Sequence, residues 1–77
     1  MPAKAYILIE TQIGKALAVV RALRELDGVQ SADGVTGPYD VIAIVEAADL
    51  GSIGDLLTQH IHTIPGITRS LTCLRIQ

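Results

Sequence analysis

The chain has 77 residues, of which 49% are hydrophobic and 18% are charged, and its formal net charge is −2. This length fits one compact domain and excludes a multidomain enzyme, while the apolar content excludes a disordered chain. The longest nearly apolar stretch, residues 41–48, is far shorter than the roughly 20 residues of a membrane-spanning helix. The single cysteine, Cys73, excludes a disulfide framework. We therefore expect a cytoplasmic protein without a membrane partner.

The hydrophobic pattern predicts four strands. Residues 5–10 and 41–46 are nearly continuous apolar runs that each end in a glutamate, which is typical of strands covered on both faces. Residues 29–36 are more polar and predict an edge strand, and residues 67–76 alternate as the last strand. A turn at residues 37–40, with the sequence G-P-Y-D, separates the second strand from the third.

Two helical patterns lie between these strands. The first is predicted to begin at the N-cap Thr11 and to stop at Gly28. The second is predicted to begin at the N-cap Asp49, with a capping box of Ser52 and Asp55 as the alternative, and to stop at residues 65–66. The apolar stripe of the first helix comprises Ile13, Ala16, Leu17, Val20 and Leu23. The stripe of the second comprises Leu50, Ile53, Leu57, Ile61 and Ile64.

Two βαβ-like halves in tandem predict a ferredoxin-like α+β fold of order βαββαβ, with two helices on one face of a four-stranded antiparallel sheet. The two central strands are apolar on both sides, so one set of their side chains has no helix to cover it. One set comprises Tyr6, Leu8, Ile42 and Ile44, and the other comprises Ile7, Ile9, Val41, Ala43 and Val45. We therefore expect a second copy to pack sheet to sheet on this face, as in a dimeric α+β barrel.

Few residues suggest catalysis or metal binding. Cys73 lies within an apolar strand and is expected to be a small buried side chain. His60 and His62 are two positions apart on a predicted helix and point roughly 200° apart, so we expect no metal site. No cofactor motif is present, and we expect no cofactor. The six basic residues form no stripe, which argues against direct binding of nucleic acid.

The turn at residues 36–40 is the strongest candidate for a binding site. Its backbone N–H groups suit a carboxylate and the side chain of Asp40 suits an ammonium group, so the turn fits a small zwitterion. A plain hairpin turn is the alternative interpretation.

Two segments, V-T-G-P-Y-D-V-I at residues 35–42 and I-P-G-I-T-R-S-L-T at residues 64–72, resemble the effector domain of the Lrp/AsnC transcription regulators, the RAM domain. The resemblance covers residues 1–77 as a single domain. It implies dimers formed through the sheets, assembly of dimers into octamer-like or other rings, and free amino-acid effectors held between dimers. Carried over by position, the ligand-binding residues are Gly37, Tyr39, Asp40, Ser70 and Thr72, with Thr36 and Thr68.

Regulators of this family carry a helix-turn-helix domain before the module, whereas this chain begins at the first strand. It therefore resembles the stand-alone form, and the start Met1-Pro2 favours a complete gene product. The resemblance then implies action through a full-length Lrp/AsnC regulator as partner, or through ligand buffering. The alternatives are a dimeric α+β barrel enzyme of the small monooxygenase or isomerase type, and an assembly module without a ligand.

Overall fold

The fold is the predicted ferredoxin-like α+β arrangement. The computed structural model describes residues 2–77 and has the element order βαββαβ. Its strands and helices are β1 (Ala3–Thr11), α1 (Ala16–Arg24), β2 (Val29–Gly34), β3 (Val41–Ala47), α2 (Leu50–Leu56), a π-helical turn (Leu57–Ile61) and β4 (Ile67–Leu74). All neighbouring strands are antiparallel, and their order in the sheet is β2-β3-β1-β4. The two strands predicted to be central are central.

The hydrophobic core lies between the helices and one face of the sheet. Ile7 of β1 lies opposite Ala43 of β3, and Ile9 lies opposite Val41, and all four are fully buried. The helical layer contributes Val19, Val20, Leu23, Ile53, Leu56 and Ile61. No polar side chain of residues 2–77 is buried in this core. The fully buried part of the packing between the layers is therefore aliphatic.

The opposite side of the sheet, here named the open sheet face, has no helix above it. It carries Tyr6, Leu8, Ile42 and Ile44, one of the two sets that the strand pattern distinguished, and β4 adds Leu71 opposite Leu8 and Cys73 opposite Tyr6. Leu71 is 44% exposed and Tyr6 is 37% exposed. The prediction that Cys73 is buried is wrong for the single chain. Its side chain is exposed because it lies on the face of the sheet that no helix covers.

Helix α1 begins later than predicted. Thr11 is the last residue of β1 and not an N-cap, because residues 12–15 form a separate turn in which the Lys15 N–H donates to the Gln12 carbonyl at 3.0 Å. The helix therefore begins at Ala16, and the side that it turns towards the sheet differs from the predicted apolar stripe. Its buried residues are Val19, Val20 and Leu23, whereas Ile13 and Leu17 are exposed.

Helix α2 begins as predicted but changes its period. The Asp49 carboxylate accepts a hydrogen bond from the Ser52 N–H at 2.8 Å, which confirms Asp49 as the N-cap. Beyond Leu56 the helix widens, and the His62 N–H donates to the Leu57 carbonyl at 2.8 Å, five residues back. Because of this π-helical turn, Leu56 and Ile61 both lie on the inner face, as residues five apart do in such a turn.

The two edges of the sheet are held differently. At β2, Arg24 of α1 donates from Nε to the Ala32 carbonyl at 3.0 Å and pairs with the Asp33 carboxylate at 3.5 Å. β2 ends at Gly34 and β4 at Leu74, each two residues earlier than predicted. Beyond β4, the Arg75 N–H donates to the Lys4 carbonyl at 2.9 Å.

This last contact places the two ends of the chain together. Arg75 also donates from its guanidinium to the Pro2 carbonyl at 3.5 Å. Both ends lie beside the Ala3–Ala47 pair, whereas residues 35–40 precede Val41 at the other end of β3. Among residues 2–77, no helix has the length and hydrophobicity needed to cross a membrane.

The cap of α2 predicts a pH-dependent contribution to stability. Hydrogen bonds from the Ser52 backbone N–H and then its side chain hold the pKa of Asp49 below its ordinary value. A carboxyl group with a lowered pKa stabilises the fold fully above its unfolded pKa, and this stabilisation is lost as pH falls through the lowered value. Asp49→Asn keeps a capping side chain that does not titrate. The thermal unfolding midpoint of wild type should fall as the pH is lowered, and we expect it to fall less steeply in Asp49→Asn. An equal fall in both proteins would contradict the contribution of the Asp49 charge to the cap.

A pair of glycines tests the turn between α1 and β2. Gly28 has φ +93°, and a Cβ there would lie 3.3 Å from both the Glu46 carbonyl oxygen and Leu56 Cδ2. We expect Gly28→Ala to lower the free energy of unfolding by about 1–2 kcal/mol, because of the left-handed backbone. Gly54 in α2 has no atom within 4 Å of the corresponding position. Gly54→Ala should therefore raise the free energy of unfolding by about 0.5–1 kcal/mol. Urea titration of both variants and of wild type measures these changes.

Candidate functional site

The segment that joins β2 to β3 is a wide loop. The Val35 N–H donates to the Asp40 carbonyl at 2.9 Å and closes the loop, and the Asp40 N–H donates to the Ile9 carbonyl of β1 at 2.9 Å. Gly37 has φ +124° with open space around it, so the backbone conformation rather than crowding favours glycine. The N–H groups of Gly37 and Tyr39 donate to no acceptor in residues 2–77.

Asp40 fastens this loop to the end of β1. Its Oδ2 accepts hydrogen bonds from the Thr11 N–H at 2.8 Å and from the Thr11 hydroxyl at 3.4 Å. The register between β1 and β4 shifts between Glu10 and Thr11. The carboxylate therefore accepts a hydrogen bond from a backbone N–H that lies at an irregular part of the pairing between these strands. The other oxygen, Oδ1, accepts no hydrogen bond from the described residues. Asp40 is therefore a half-buried carboxylate fixed through one oxygen.

The sequence pattern did not reveal the role of Thr11. The two residues are 29 positions apart, and the threonine was assigned to a helix cap. Only the pairing of β1 with β3 brings them together, since Ile9 lies opposite Val41. No local motif carries that signal.

The predicted residues of β4 lie on the other side of β1. Ser70 lies opposite Ile9 and Thr72 lies opposite Ile7, so the side chains of Ser70 and Thr72 are on the helix-covered side of the sheet. The Ser70 hydroxyl lies 3.2 Å from His62 Nε2. Thr68 sits where the register shifts, and its hydroxyl donates to the Glu10 carbonyl at 3.2 Å.

The predicted site thus forms two groups in a single chain. Thr36, Gly37, Tyr39 and Asp40 lie on the β3 side of β1, and Thr68, Ser70 and Thr72 lie on the β4 side. Two interstrand spacings separate the flanking strands by about 10 Å. One member of each group bonds to the same end of β1, Asp40 to Thr11 and Thr68 to Glu10.

The other candidate residues are dispersed. His62 contacts Ser70, whereas His60 lies beside Leu56 and residues 25–27. Cys73 is on the open sheet face. Among residues 2–77, no three side chains of the types His, Cys, Asp and Glu are grouped closely enough to hold a metal ion.

The fold is shared with several solved structures. A hypothetical protein from Pyrococcus horikoshii is 32% identical over 97% of this chain and 90% of its own, with a TM-score of 0.92. A protein from Thermus thermophilus is 33% identical over 97% of this chain and 94% of its own, also with a TM-score of 0.92. A transcriptional regulator from Neisseria meningitidis, solved as a complex with L-Met, is 14% identical, with a TM-score of 0.86. The match covers 97% of this chain and half of that regulator.

A search of curated protein sequences gave no match. The model of the Lrp/AsnC ligand binding domain matches residues 4–77, which is nearly the whole sequence. This chain therefore belongs to the Lrp/AsnC ligand-binding domain family.

Proposed function

We propose that this chain is a non-catalytic effector module that binds a free amino acid and changes its assembly when it does so. The observation that carries the proposal is the state of Asp40, whose Oδ2 is held by Thr11 while Oδ1 is free. Unpartnered N–H groups at Gly37 and Tyr39 lie in the same loop. An anion and N–H donors together complement the ammonium and carboxylate groups of an amino acid.

The L-Met complex of the Neisseria regulator supports a ligand of this class, since the two proteins share a fold. The aliphatic core supports a non-catalytic role. An enzyme with its site between helices and sheet needs polar groups there, and none of the described side chains buried in that layer is polar.

The division of the site supports a ligand shared between copies. Residues 36–40 and the β4 group, Thr68, Ser70 and Thr72, lie on opposite sides of β1 in one chain. We propose that dimers assemble into octamer-like or other rings, so that the loop of one dimer faces β4 residues of the next. A ligand bound only in the assembled state stabilises that state.

The open sheet face supports the dimer from which these rings would be built. Tyr6, Leu8, Ile42, Ile44 and Leu71 form one apolar surface on three adjacent strands. Sheets of this kind pack face to face about 10 Å apart. The module would act on transcription through a full-length Lrp/AsnC regulator that joins the same assembly.

Asp40→Asn tests ligand binding. The asparagine keeps an oxygen for the Thr11 N–H but loses the charge that would hold an ammonium group. We expect the variant to bind the amino acid preferred by wild type, but with an affinity lower by at least roughly tenfold. The thermal unfolding midpoint should change little. The measurement is calorimetric titration with each of the twenty amino acids, with particle mass followed by light scattering.

Asp55→Asn is the matched control, because Asp55 is an exposed carboxylate of α2 away from the loop. It should bind like wild type. The proposal fails if no amino acid binds wild type at millimolar concentration, or if Asp40→Asn binds as tightly as Asp55→Asn.

Ile44→Glu tests the dimer, because Ile44 lies opposite Tyr6 in the middle of the open sheet face. A carboxylate buried there without a partner strongly disfavours a sheet-to-sheet contact. We expect wild type to sediment as a dimer or larger and Ile44→Glu as a folded monomer. Leu50→Glu, at an exposed position of α2, should keep the wild-type mass. A monomeric wild type would contradict the role of this face.

A further inference from the structure

A cleft of about 270 Å³ lies in the helical layer, apart from the loop at residues 35–40. It is lined by Glu25, Leu26, Asp27, Leu56 and His60. The first three follow α1 and lead into the start of β2, whereas the loop follows the end of that strand. The cleft and the candidate site are therefore separate surfaces.

The floor of the cleft is apolar and fixed in position. Leu56 is buried and Leu26 is half-buried. The turn at Gly28 packs so closely on Leu56 Cδ2 that a Cβ at this position would lie 3.3 Å away. The volume is below the range of about 300–1,000 Å³ for drug-sized ligands, so it suits a single long side chain.

The rim of the cleft is acidic on one wall. The side chains of Glu25 and Asp27 are exposed and take part in no ion pair within residues 2–77. The C-terminal end of α1 adds a partial negative charge beside them. The last turn of α1 contains two arginines. Arg24 is engaged with Ala32 and Asp33 of β2, and Arg21 forms no ion pair with Glu25 or Asp27 in the described part of the chain. Charge complementarity therefore favours a cationic occupant.

His60 stands in the wall formed by the π-helical turn. Its flat ring suits a planar cation, which stacks on an aromatic face while its N–H groups bond carboxylates. A guanidinium group has this shape, and its three methylenes match an apolar floor.

We propose that the cleft is a docking site for an arginine side chain of a partner protein. The methylenes of the arginine lie over Leu26 and Leu56, and its guanidinium group lies between the two carboxylates and His60. The proposal is independent of amino-acid binding at the loop and of ring assembly.

The test uses the full 77-residue chain and N-acetyl-arginine N-methylamide as the probe. This compound lacks the free ammonium and carboxylate groups that the loop would recognise. In ¹H–¹⁵N spectra we expect saturable shifts of the amides of Gly28, Leu56 and His60 at millimolar concentrations, with those of Gly37 and Asp40 unmoved. The corresponding citrulline derivative, a neutral isostere, should bind at least roughly tenfold more weakly.

The double variant Glu25→Gln, Asp27→Asn should lose the shifts, and Asp55→Asn should keep them. Three results would each overturn the proposal: no saturable shift in wild type, equal affinity for the citrulline derivative, or unchanged binding by the double variant. Because the probe cannot serve as a free amino acid, a failure here leaves the effector proposal untouched.

Discussion

Two helices cover only one face of a four-stranded sheet, and this chain places aliphatic side chains on both faces. Ile7 and Ile9 fill the space beneath the helices, while Leu8, between them in sequence, points the other way. The same alternation runs through β3. A one-residue slip of β1 against β3 would exchange the two sets, so the register that builds the core also fixes which residues form the open sheet face.

The register also creates the candidate site. With Ile9 opposite Val41, the residue before Val41 meets the residues that follow Ile9, and the Asp40 carboxylate reaches the Thr11 N–H. One oxygen of this carboxylate accepts hydrogen bonds from Thr11, and the other accepts none from the described residues. A carboxylate fixed in this way holds its charge in a defined place, so a ligand that bound there would not have to order it. The backbone of Asp40 closes the loop by accepting from the Val35 N–H and joins it to β1 by donating to the Ile9 carbonyl.

The sequence predicted those parts of the fold that depend on local patterns. Two apolar runs identified the central strands, and Asp49 before a helical stripe identified a cap. The beginning of α1 could not be read from the pattern, because Ile13 has the right spacing for the stripe but lies in a turn fastened to Gly66. The predicted stripe of the second helix is right for Ile53 and Ile61, which are buried, but it includes the exposed Leu50 and leaves out Leu56. Leu56 shares the inner face with Ile61 through a π-helical turn, which a 3.6-residue period does not describe.

The sequence proposes the residues of the candidate site, whereas their arrangement is visible only in the fold. The motif at residues 36–40 and the threonines of β4 stand out in the sequence, yet their separation by β1 follows from strand order alone. The contact of His62 with Ser70 and that of Asp40 with Thr11 join residues whose meeting depends on the folded chain.

The closeness of Pro2 and Arg75 affects how this domain can be connected to other polypeptides. Arg75 binds the backbone at Lys4 and Pro2, so both ends leave the sheet side by side, at the pole opposite the loop at residues 35–40. A polypeptide attached at either end, or a fluorescent reporter fused there, would project from that pole. The domain can therefore be inserted into another chain through its adjacent ends, with the loop at residues 35–40 facing away from the insertion point.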